Sequence, residues 1–553
     1  MGNRDRFAHL PPAPDHRHAS DAWKYDPIDL ARHEVQLRGI IAAVRAEPNL
    51  DQRALRHILR QFPRDGQGFF SKSELVRGYQ ALCDAGTLTF DRDTLRRLQM
   101  KPVRTQSGVA PVAVLTKPAG CPGKCIFCPN DPEMPKSYLS WEPGAQRALR
   151  HDFDPFEQTA SRITALRNTG HPAQKIELII LGATWSAYPR SYQEWFVQRC
   201  LDAMNGSTST SLAEAQTVNE RAAVRCVGMT VETRPDWVTL DEAIHLRRLG
   251  VTRVQIGIQS LDDHILEINR RGHDMAAARR ASRLLRAAGF KLLMHWMPNL
   301  LGATPKSDRQ DYLRLWTDPD MRPDELKLYP CSLIAGTELY TVWQQGGYQP
   351  YDHETLVDLV ADCKAATPRY CRLDRVIRDI PATYVVVGNQ FANLREMAKQ
   401  KLRESGRVCQ CIRCREVRGE EVTLRSLKLE ALRYPAGGGQ EVFLSMETRQ
   451  HRLAGFVRLH LPSRPETVES PPELRGCAVI RQLHVYGPSL PIGGASDGEA
   501  QHRGIGQRLL NDAANEARQA GFKRLAVIAS IGTREYYRQH GFETGEFYMA
   551  RDL

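Results

Sequence analysis

A chain of 553 residues with 42% hydrophobic content has room for roughly three or four domains with sizeable cores. Its formal net charge of +12 favours an acidic partner, nucleic acid first. The 13 cysteines fall in clusters of metal-ligand spacing rather than an even disulfide framework. With no apolar leader and no run of about 18 apolar residues, the reading is a reducing, cytoplasmic setting.

In chain order, residues 1–27 are rich in Pro, His and charge and read as a tail. Residues 28–105 read as a small basic helical domain. Apolar positions at Leu30, Val35, Leu37, Ile40, Ile41 and Val44, then Leu55, Ile58 and Leu59, repeat at helical spacing. Ser71 to Leu82 and Thr94 to Met100 read as further short helices. The arginines spread over them (Arg53, Arg56, Arg60, Arg64, Arg96, Arg97) suit either an RNA-docking face or a solvated surface.

Over residues 106–390, apolar runs of strand length alternate with helical stretches. Strands are expected at Val109–Leu115, Lys175–Leu181, Arg225–Val231, Thr252–Ile258, Phe290–Trp296 and Glu325–Leu328. Helices are expected at Phe156–Arg167, Tyr192–Met204, Leu240–Leu249, Met275–Ala288 and Lys306–Trp316. That alternation predicts a parallel sheet buried on both faces, a partial (β/α)6 barrel with its chemistry at the C-terminal strand ends.

The first such end carries Thr116-Lys117-Pro118-Ala119-Gly120-Cys121-Pro122-Gly123-Lys124-Cys125-Ile126-Phe127-Cys128. Three thiolates on one tight loop can hold three irons of a [4Fe–4S] cluster and leave the fourth open. The opposing reading is a zinc knuckle or three unrelated thiols. C-x3-C-x2-C with an aromatic residue before the last cysteine resembles the signature of radical S-adenosylmethionine enzymes. That resemblance implies S-adenosylmethionine at the open iron and makes Lys117, Gly182, Thr184, Glu232, Arg234 and Gln259 cofactor-binding candidates. The Gly-Gly-Glu usual after the second strand is here Gly182-Ala183-Thr184. Glu232 and Arg234 suit ribose or carboxylate recognition, or equally a structural ion pair. A glutamine on an apolar strand needs a partner, so Gln255 or Gln259 is expected to face the cavity. Lys291 opens strand five, His295 stands near its end, and Lys327 and Tyr329 lie in strand six. Lys291, Lys327 and Tyr329 are catalytic candidates, since buried lysines need an anionic partner; lysines snorkelling to the rim are the alternative.

Residues 391–440 read as a basic linker, with 11 basic and 6 acidic side chains. Cys409, Cys411 and Cys414 within it read as a structural zinc site, with Cys371, Cys477 or His460 as fourth ligand, or as a second iron–sulfur cluster. Residues 441–553 read as a small α/β domain. Strands are expected at Val442–Met446, Leu453–Leu461, Val479–Tyr486, Leu525–Ser530 and Phe547–Arg551, with helices at Gln507–Gln519 and Thr533–Gln539. Gln501-His502-Arg503-Gly504-Ile505-Gly506 before the first helix resembles the pyrophosphate loop of GNAT acetyltransferases, where helix N–H groups cradle acetyl-CoA. Tyr536 and Tyr537 match that family's tyrosine pair, one to orient the thioester or protonate the leaving thiolate; either could instead be a core ring.

Lys101-Pro102-Val103-Arg104-Thr105, the cysteine loop, Glu232-Thr233-Arg234-Pro235-Asp236, Leu326-Lys327-Leu328-Tyr329-Pro330, Arg378-Asp379-Ile380-Pro381 and Asn393-Leu394-Arg395-Glu396 together resemble the Elongator catalytic subunit family. The resemblance runs from about Lys101 to the end. It implies a single prokaryotic-type chain, a tRNA uridine acetyltransferase that places a carboxymethyl group on C5 of the wobble uridine. Its cofactors would be a [4Fe–4S] cluster, S-adenosylmethionine and acetyl-CoA, with zinc, and its partner the tRNA anticodon stem-loop. A protein lysine acetyltransferase with a structural iron–sulfur domain is the alternative. Monomer and homodimer are equally compatible with the sequence.

Overall fold

The computed structural model describes residues 28–553 except 102–103, 106, 379, 389, 392, 419, 421, 464–468 and 488–502. The tail at 1–27 lies outside the described residues, as do Asp379 and part of the connector before the first strand.

Among the described residues, four helices come first: α1 (Leu30–Ala46), α2 (Gln52–Gln61), α3 (Lys72–Asp84) and α4 (Arg92–Leu98). Side-chain caps start each of them, among them a Ser71–Glu74 capping box on α3. They close round a core of their own, which includes Leu37, Ile40, Val44, Leu75 and Tyr79.

The central unit follows as β1 (Ala110–Leu115), α5 (Pro143–Arg150), α6 (Pro155–Arg167), β2 (Lys175–Leu181), α7 (Arg190–Asn205), α8 (Leu212–Asn219), β3 (Arg225–Thr233), α9 (Leu240–Leu249), β4 (Arg253–Gln259), α10 (Asp263–Ile268), α11 (Met275–Ala287), β5 (Lys291–Trp296), α12 (Pro305–Thr317) and β6 (Glu325–Leu328). Then come β7 (Leu333–Ile334), α13 (Glu338–Gln344), α14 (His353–Ala366), β8 (Arg372–Arg375), β9 (Val385–Val387) and α15 (Leu394–Glu404). β1 to β6 and β8 form one parallel sheet in sequential order, a half-barrel. The six expected strands are all present. The seventh, Arg-Leu-Asp-Arg, carries no apolar pattern: Leu373 is its one apolar residue, and Arg372 is paired with Glu416.

After α16 (Ile412–Arg415), a second sheet is built from β10 (Lys428–Ala436), β11 (Gly439–Glu447), β12 (Leu453–Pro462), β13 (Cys477–Val485), β14 (Arg524–Val527), β15 (Glu543–Thr544) and β16 (Met549–Asp552), with helices α17 (Arg503–Gln519) and α18 (Arg534–Arg538). β10 falls inside the stretch read as linker. Its first six residues are exposed, so it shows no alternation, and only its antiparallel pairing with β11 makes it a strand. The C-terminal domain therefore begins near Lys428 rather than at residue 441.

The second sheet packs under the N-terminal ends of the barrel strands. Arg481 of β13 donates to the Phe290 carbonyl at 2.6 Å and grips Asp324 through two bonds of 2.8 and 2.6 Å. The Ser530 hydroxyl donates to the Cys226 carbonyl, and the Tyr548 hydroxyl to that of Ala288. Among the described residues no helix is long and apolar enough to cross a membrane.

Candidate active site

At the C-terminal strand ends of the half-barrel the cysteine loop opens onto a cavity of about 950 Å³. Cys121, Cys125 and Cys128 all line it, with eleven lysine and arginine side chains against three carboxylates (Glu142, Glu232 and Asp374). Burial, reinforced by Cys125, pushes the Cys128 thiol up to about 12. Arg271 donates to the Cys125 sulfur at 2.9 Å and to the Gly257 carbonyl at 2.6 Å. The guanidinium thus bridges the cysteine loop and β4 through one charge-assisted contact and one backbone bond.

Among the buried polar atoms near the loop that have no partner are Arg234 Nη1, Gln259 Oε1 and Arg271 Nε. The rest of the Arg234 fork binds Asp236 at 3.0 to 3.3 Å, and any side chain at Gly123 would strike Nη1. Three sulfurs facing one cavity, with orphaned donors and acceptors beside them, fit an iron–sulfur cluster and a small polar ligand. Cys409, Cys411 and Cys414 are spaced differently: their sulfurs lie within 4.8 Å of one another, which suits one ion.

The turn after β2 is bound from the neighbouring strand. Glu232 Oε1 accepts from the N–H groups of Gly182 and Ala183 at 3.0 and 3.1 Å, and from the Tyr138 hydroxyl at 2.7 Å. Gly182 sits at φ 152°, where a Cβ would collide with Thr116, and Ala183 at φ 67°. Gln259, at the end of β4, also takes φ 67°. Non-glycine residues in the left-handed region at the ends of β2 and β4, on either side of β3, mark held backbone strain, which concentrates at ligand sites. The carboxylate absent at position 184 thus enters from β3. Thr184 is buried 3.6 Å from the Cys121 sulfur. Arg378, over the Tyr138 ring at 5.0 Å, donates to Glu142 at 2.7 Å and braces this wall.

Deeper in the barrel, Lys327 Nζ and His295 Nε2 converge on Gln255 Oε1 at 2.5 and 3.0 Å. Burial lowers Lys327 to about 8, against the opposing pull of Asp374 and Glu232. His295 is held well below its usual range by burial and by Lys327, so its ring is neutral. Tyr329 lies with its ring 6.0 Å from Lys327 Nζ.

Other sequence candidates lie elsewhere. Lys291 stands at the start of β5, at the opposite end from the cysteine loop, and does not line the cavity. Its place as the first residue of β5 already sets it at the N-terminal end of the barrel, away from the strand ends that carry the loop. Lys117 is exposed outside the cavity; its N–H donates to the Tyr192 hydroxyl at 3.0 Å and its carbonyl accepts from Tyr188. Arg271 and Tyr138 carry no signal in the sequence, and Arg378 enters it only through the Arg378–Pro381 motif, with no place in the site. Arg271 sits in a short turn after α10 and carries no periodic signal.

In the second domain, Gln501 and His502 lie outside the described residues, as does the Arg503 side chain. Helix α17 starts at Arg503, so Gly504, Ile505 and Gly506 form its first turn, where N–H groups lack intrahelical partners. Ile505 is fully buried. A Cβ at Gly506 would come within 2.9 Å of the Tyr536 hydroxyl, a cradle that glycine keeps open for an anion. β13 and β14 pair only as far as Ile480 and Val527, and β13 then runs on to Val485. Beyond Ile480 and Val527 the two parallel strands no longer pair, which opens a gap in the sheet beside the start of α17. Tyr536 faces this region, and burial raises its hydroxyl to about 12. Tyr537 is a core ring, 7% exposed and packed on Phe542 at 5.6 Å.

At the three-cysteine site, the Ile412 N–H donates to the Cys371 carbonyl at 2.9 Å, so Cys371 is the nearest of the three sequence candidates for a fourth ligand. His460 is instead bonded to Glu441 at 2.9 Å, and Cys477 to the Glu473 carbonyl. Cys411→Ser is expected to cut bound zinc from about one per chain to a small fraction and to lower the urea midpoint. Metal analysis of the purified variant checks it; unchanged zinc would reject the assignment.

Comparison with known proteins agrees with this architecture. The Radical SAM superfamily matches residues 116–312, the Radical_SAM C-terminal domain 323–404 and the Acetyltransferase (GNAT) family 420–542. A tRNA uridine(34) acetyltransferase of Methanocaldococcus jannaschii is 42% identical over 471 residues, covering 82% of this chain and 86% of that protein. Elongator complex protein 3 of Danio rerio is 38% identical, covering 84% and 87%. A solved structure of the archaeal Methanocaldococcus infernus Elp3 with an N-terminal deletion (1–46) aligns at TM-score 0.69 and 37% identity, over 81% of this chain and 100% of that one. With its cysteine loop on a half-barrel and a GNAT sheet docked beneath, this chain belongs to the family of tRNA uridine(34) acetyltransferases and Elongator complex protein 3.

Proposed function

We propose that the protein modifies C5 of the wobble uridine in the anticodon stem-loop of tRNA, leaving a carboxymethyl group derived from acetyl-CoA. The observation that supports this most is the single cationic cavity shared by the three loop cysteines, the Glu232 turn and Lys327. Its eleven basic side chains suit a phosphate backbone around one flipped base.

Cys121, Cys125 and Cys128 would hold the cluster; the Gly182–Ala183 turn, Arg234 and Gln259 would hold S-adenosylmethionine; Gly504 to Gly506 would hold the pyrophosphate of acetyl-CoA. When bound, the cluster and S-adenosylmethionine supply a carbon-centred radical able to take hydrogen from a methyl group. Such chemistry is needed because uridine C5 is not a nucleophile toward an ordinary thioester.

The remaining tasks fall to side chains. Glu232 fixes the turn, and Arg234 Nη1 is free to meet a carboxylate. Substitution of a carbon radical at C5 releases a proton and one electron; the electron would return to the cluster held by Cys121, Cys125 and Cys128, which would have supplied one to S-adenosylmethionine. Lys327, brought near neutrality by burial, is placed to accept the proton, with Gln255 and neutral His295 orienting its amine. Tyr536 is placed to protonate the leaving thiolate of coenzyme A.

The test is mass spectrometry of wobble uridines after anaerobic reconstitution with tRNA, acetyl-CoA and S-adenosylmethionine. A 5-carboxymethyl-type uridine is expected. No modified uridine, together with acetylation of basic proteins that survives replacement of all three loop cysteines, would favour a lysine acetyltransferase instead.

A further inference from the structure

Resting on the function above, the geometry raises a question of transport. The two half-reactions would be held at opposite ends of the same strands. The cysteine loop is at the C-terminal ends, and the GNAT sheet is docked under the N-terminal ends through Phe290, Asp324, Cys226 and Ala288.

The space between them is the barrel interior. The cavity follows β1 from Leu115 through Ala113 to Pro111, and β4 from Gln259 through Gln255 to Arg253, the whole length of both strands. Six or seven residues of strand span about 20 Å. At its lower end the cavity meets Arg253, whose two guanidinium nitrogens pair with Glu177 and Glu325, each at 2.7 Å. Lys291 is the register neighbour of Arg253 on β5. Beyond Arg253, facing Lys291 and Glu177, stands His484 of β13, on the segment that has parted from β14. Its Nε2 is buried and has no partner.

Glu177, Lys291 and His484 are all only half-buried, so the floor of the barrel is closed by ion pairs rather than by apolar packing. Side-chain ion pairs can re-pair by rotation of a long arginine, whereas a packed floor would need the strands to move. Arg253 at the floor, level with Lys291 on β5, and Lys327 above it present cations at two depths, suited to a carboxylate or a thioester carbonyl.

We propose that the interior of the half-barrel is the passage by which a two-carbon acyl unit crosses from the GNAT domain to the cysteine loop, with Arg253 as its gate. The unit travels either as the thioester at the tip of the coenzyme A arm or as acetate.

Two plugs on β1 test this. Pro111 lies opposite Glu177 in register, at the floor, and Ala113 lies opposite Ile179 one layer up. Pro111→Trp and Ala113→Phe are each assayed as full-length reconstituted protein. Three readouts are taken: tRNA-stimulated release of coenzyme A, cleavage of S-adenosylmethionine to 5′-deoxyadenosine, and modified wobble uridine. Cleavage of S-adenosylmethionine is expected to stay within about twofold of the parent while modified uridine falls at least about tenfold; release of coenzyme A stays within about twofold where acetate crosses and falls with the product where the thioester crosses. Pro111→Val, which leaves the bore open, is expected to keep the product. A plugged variant that makes product within about twofold of the parent overturns the passage, as does equal loss in Pro111→Val. Absence of both half-reactions in the parent would instead overturn the proposed function. Labelled acetate and labelled acetyl-CoA, supplied separately to the parent, distinguish the two forms of the acyl unit.

Discussion

Replacing Asp324 with alanine is expected to destabilise the protein by about 3–5 kcal/mol, among the largest single-residue effects in the chain. Asp324 is fully buried where the barrel meets the GNAT sheet. Arg481 grips both its oxygens, Arg458 and Arg286 stand 3.4 and 3.7 Å away, and its Oδ2 also accepts from the Leu292 N–H at 2.8 Å. Glu441 adds a second carboxylate, accepting from Arg481 at 2.8 and 2.9 Å. Removing Asp324 leaves three buried guanidinium groups facing one carboxylate, and Coulomb repulsion then acts with little screening. Burial tends to raise the Asp324 carboxyl, but Arg481, Arg458 and Arg286 outweigh it and hold the group well below the usual carboxylate range. Its folded pKa is thus depressed. Its contribution is complete above the unfolded carboxylate value near 3.8 and is lost only as pH falls toward the folded one. Urea unfolding at neutral pH measures the effect. A change under about 1 kcal/mol would mean that water already reaches the network.

Lys327→Met is expected to lower formation of modified uridine by roughly 10²- to 10³-fold while leaving coenzyme A release intact. In the parent the amine titrates at about 8, so the rate should climb with pH below that value and level off above it. The variant should lack that limb. Lys327→Arg keeps the charge but cannot accept a proton at these pH values, so it should not rescue activity. If arginine restores the rate, the role is electrostatic and not proton transfer. The stability linkage has its own sign. The folded pKa lies below the ordinary 10.5, so the unfolded chain binds more protons between the two values. Stability therefore gains from Lys327 as pH rises from about 8 toward 10.5. Urea titrations of parent and methionine variant across this range separate that effect from the catalytic one.

Much of this molecule is written in local pattern. Six barrel strands follow from apolar runs bounded by helical stretches, because a strand covered on both faces must be apolar throughout. The cysteine loop is legible because a cluster needs three thiolates on one short segment, and the Gly504–Gly506 turn because a helix start needs small residues to admit a phosphate. Lys327 stands out as a charge in an apolar strand. What these patterns report is backbone period and burial within about ten residues. They are silent on pairs brought together by stacking: Arg271 on Cys125, 146 residues away; Tyr138 on Glu232, 94 away; Arg481 on Asp324, 157 away. They also misread charge that is buried in pairs, which hydropathy scores as surface; the arginines under the barrel are hidden for that reason. Taken along the chain, the residues specify the six apolar barrel strands, the cluster loop and the small-residue helix start. Folding adds that Arg253 and Lys291 lie level at the barrel floor, that Glu232 supplies the carboxylate of the neighbouring turn, and that one sheet closes the other's lower end. Those outcomes depend on the register and stacking of strands far apart in the chain, which no local period encodes.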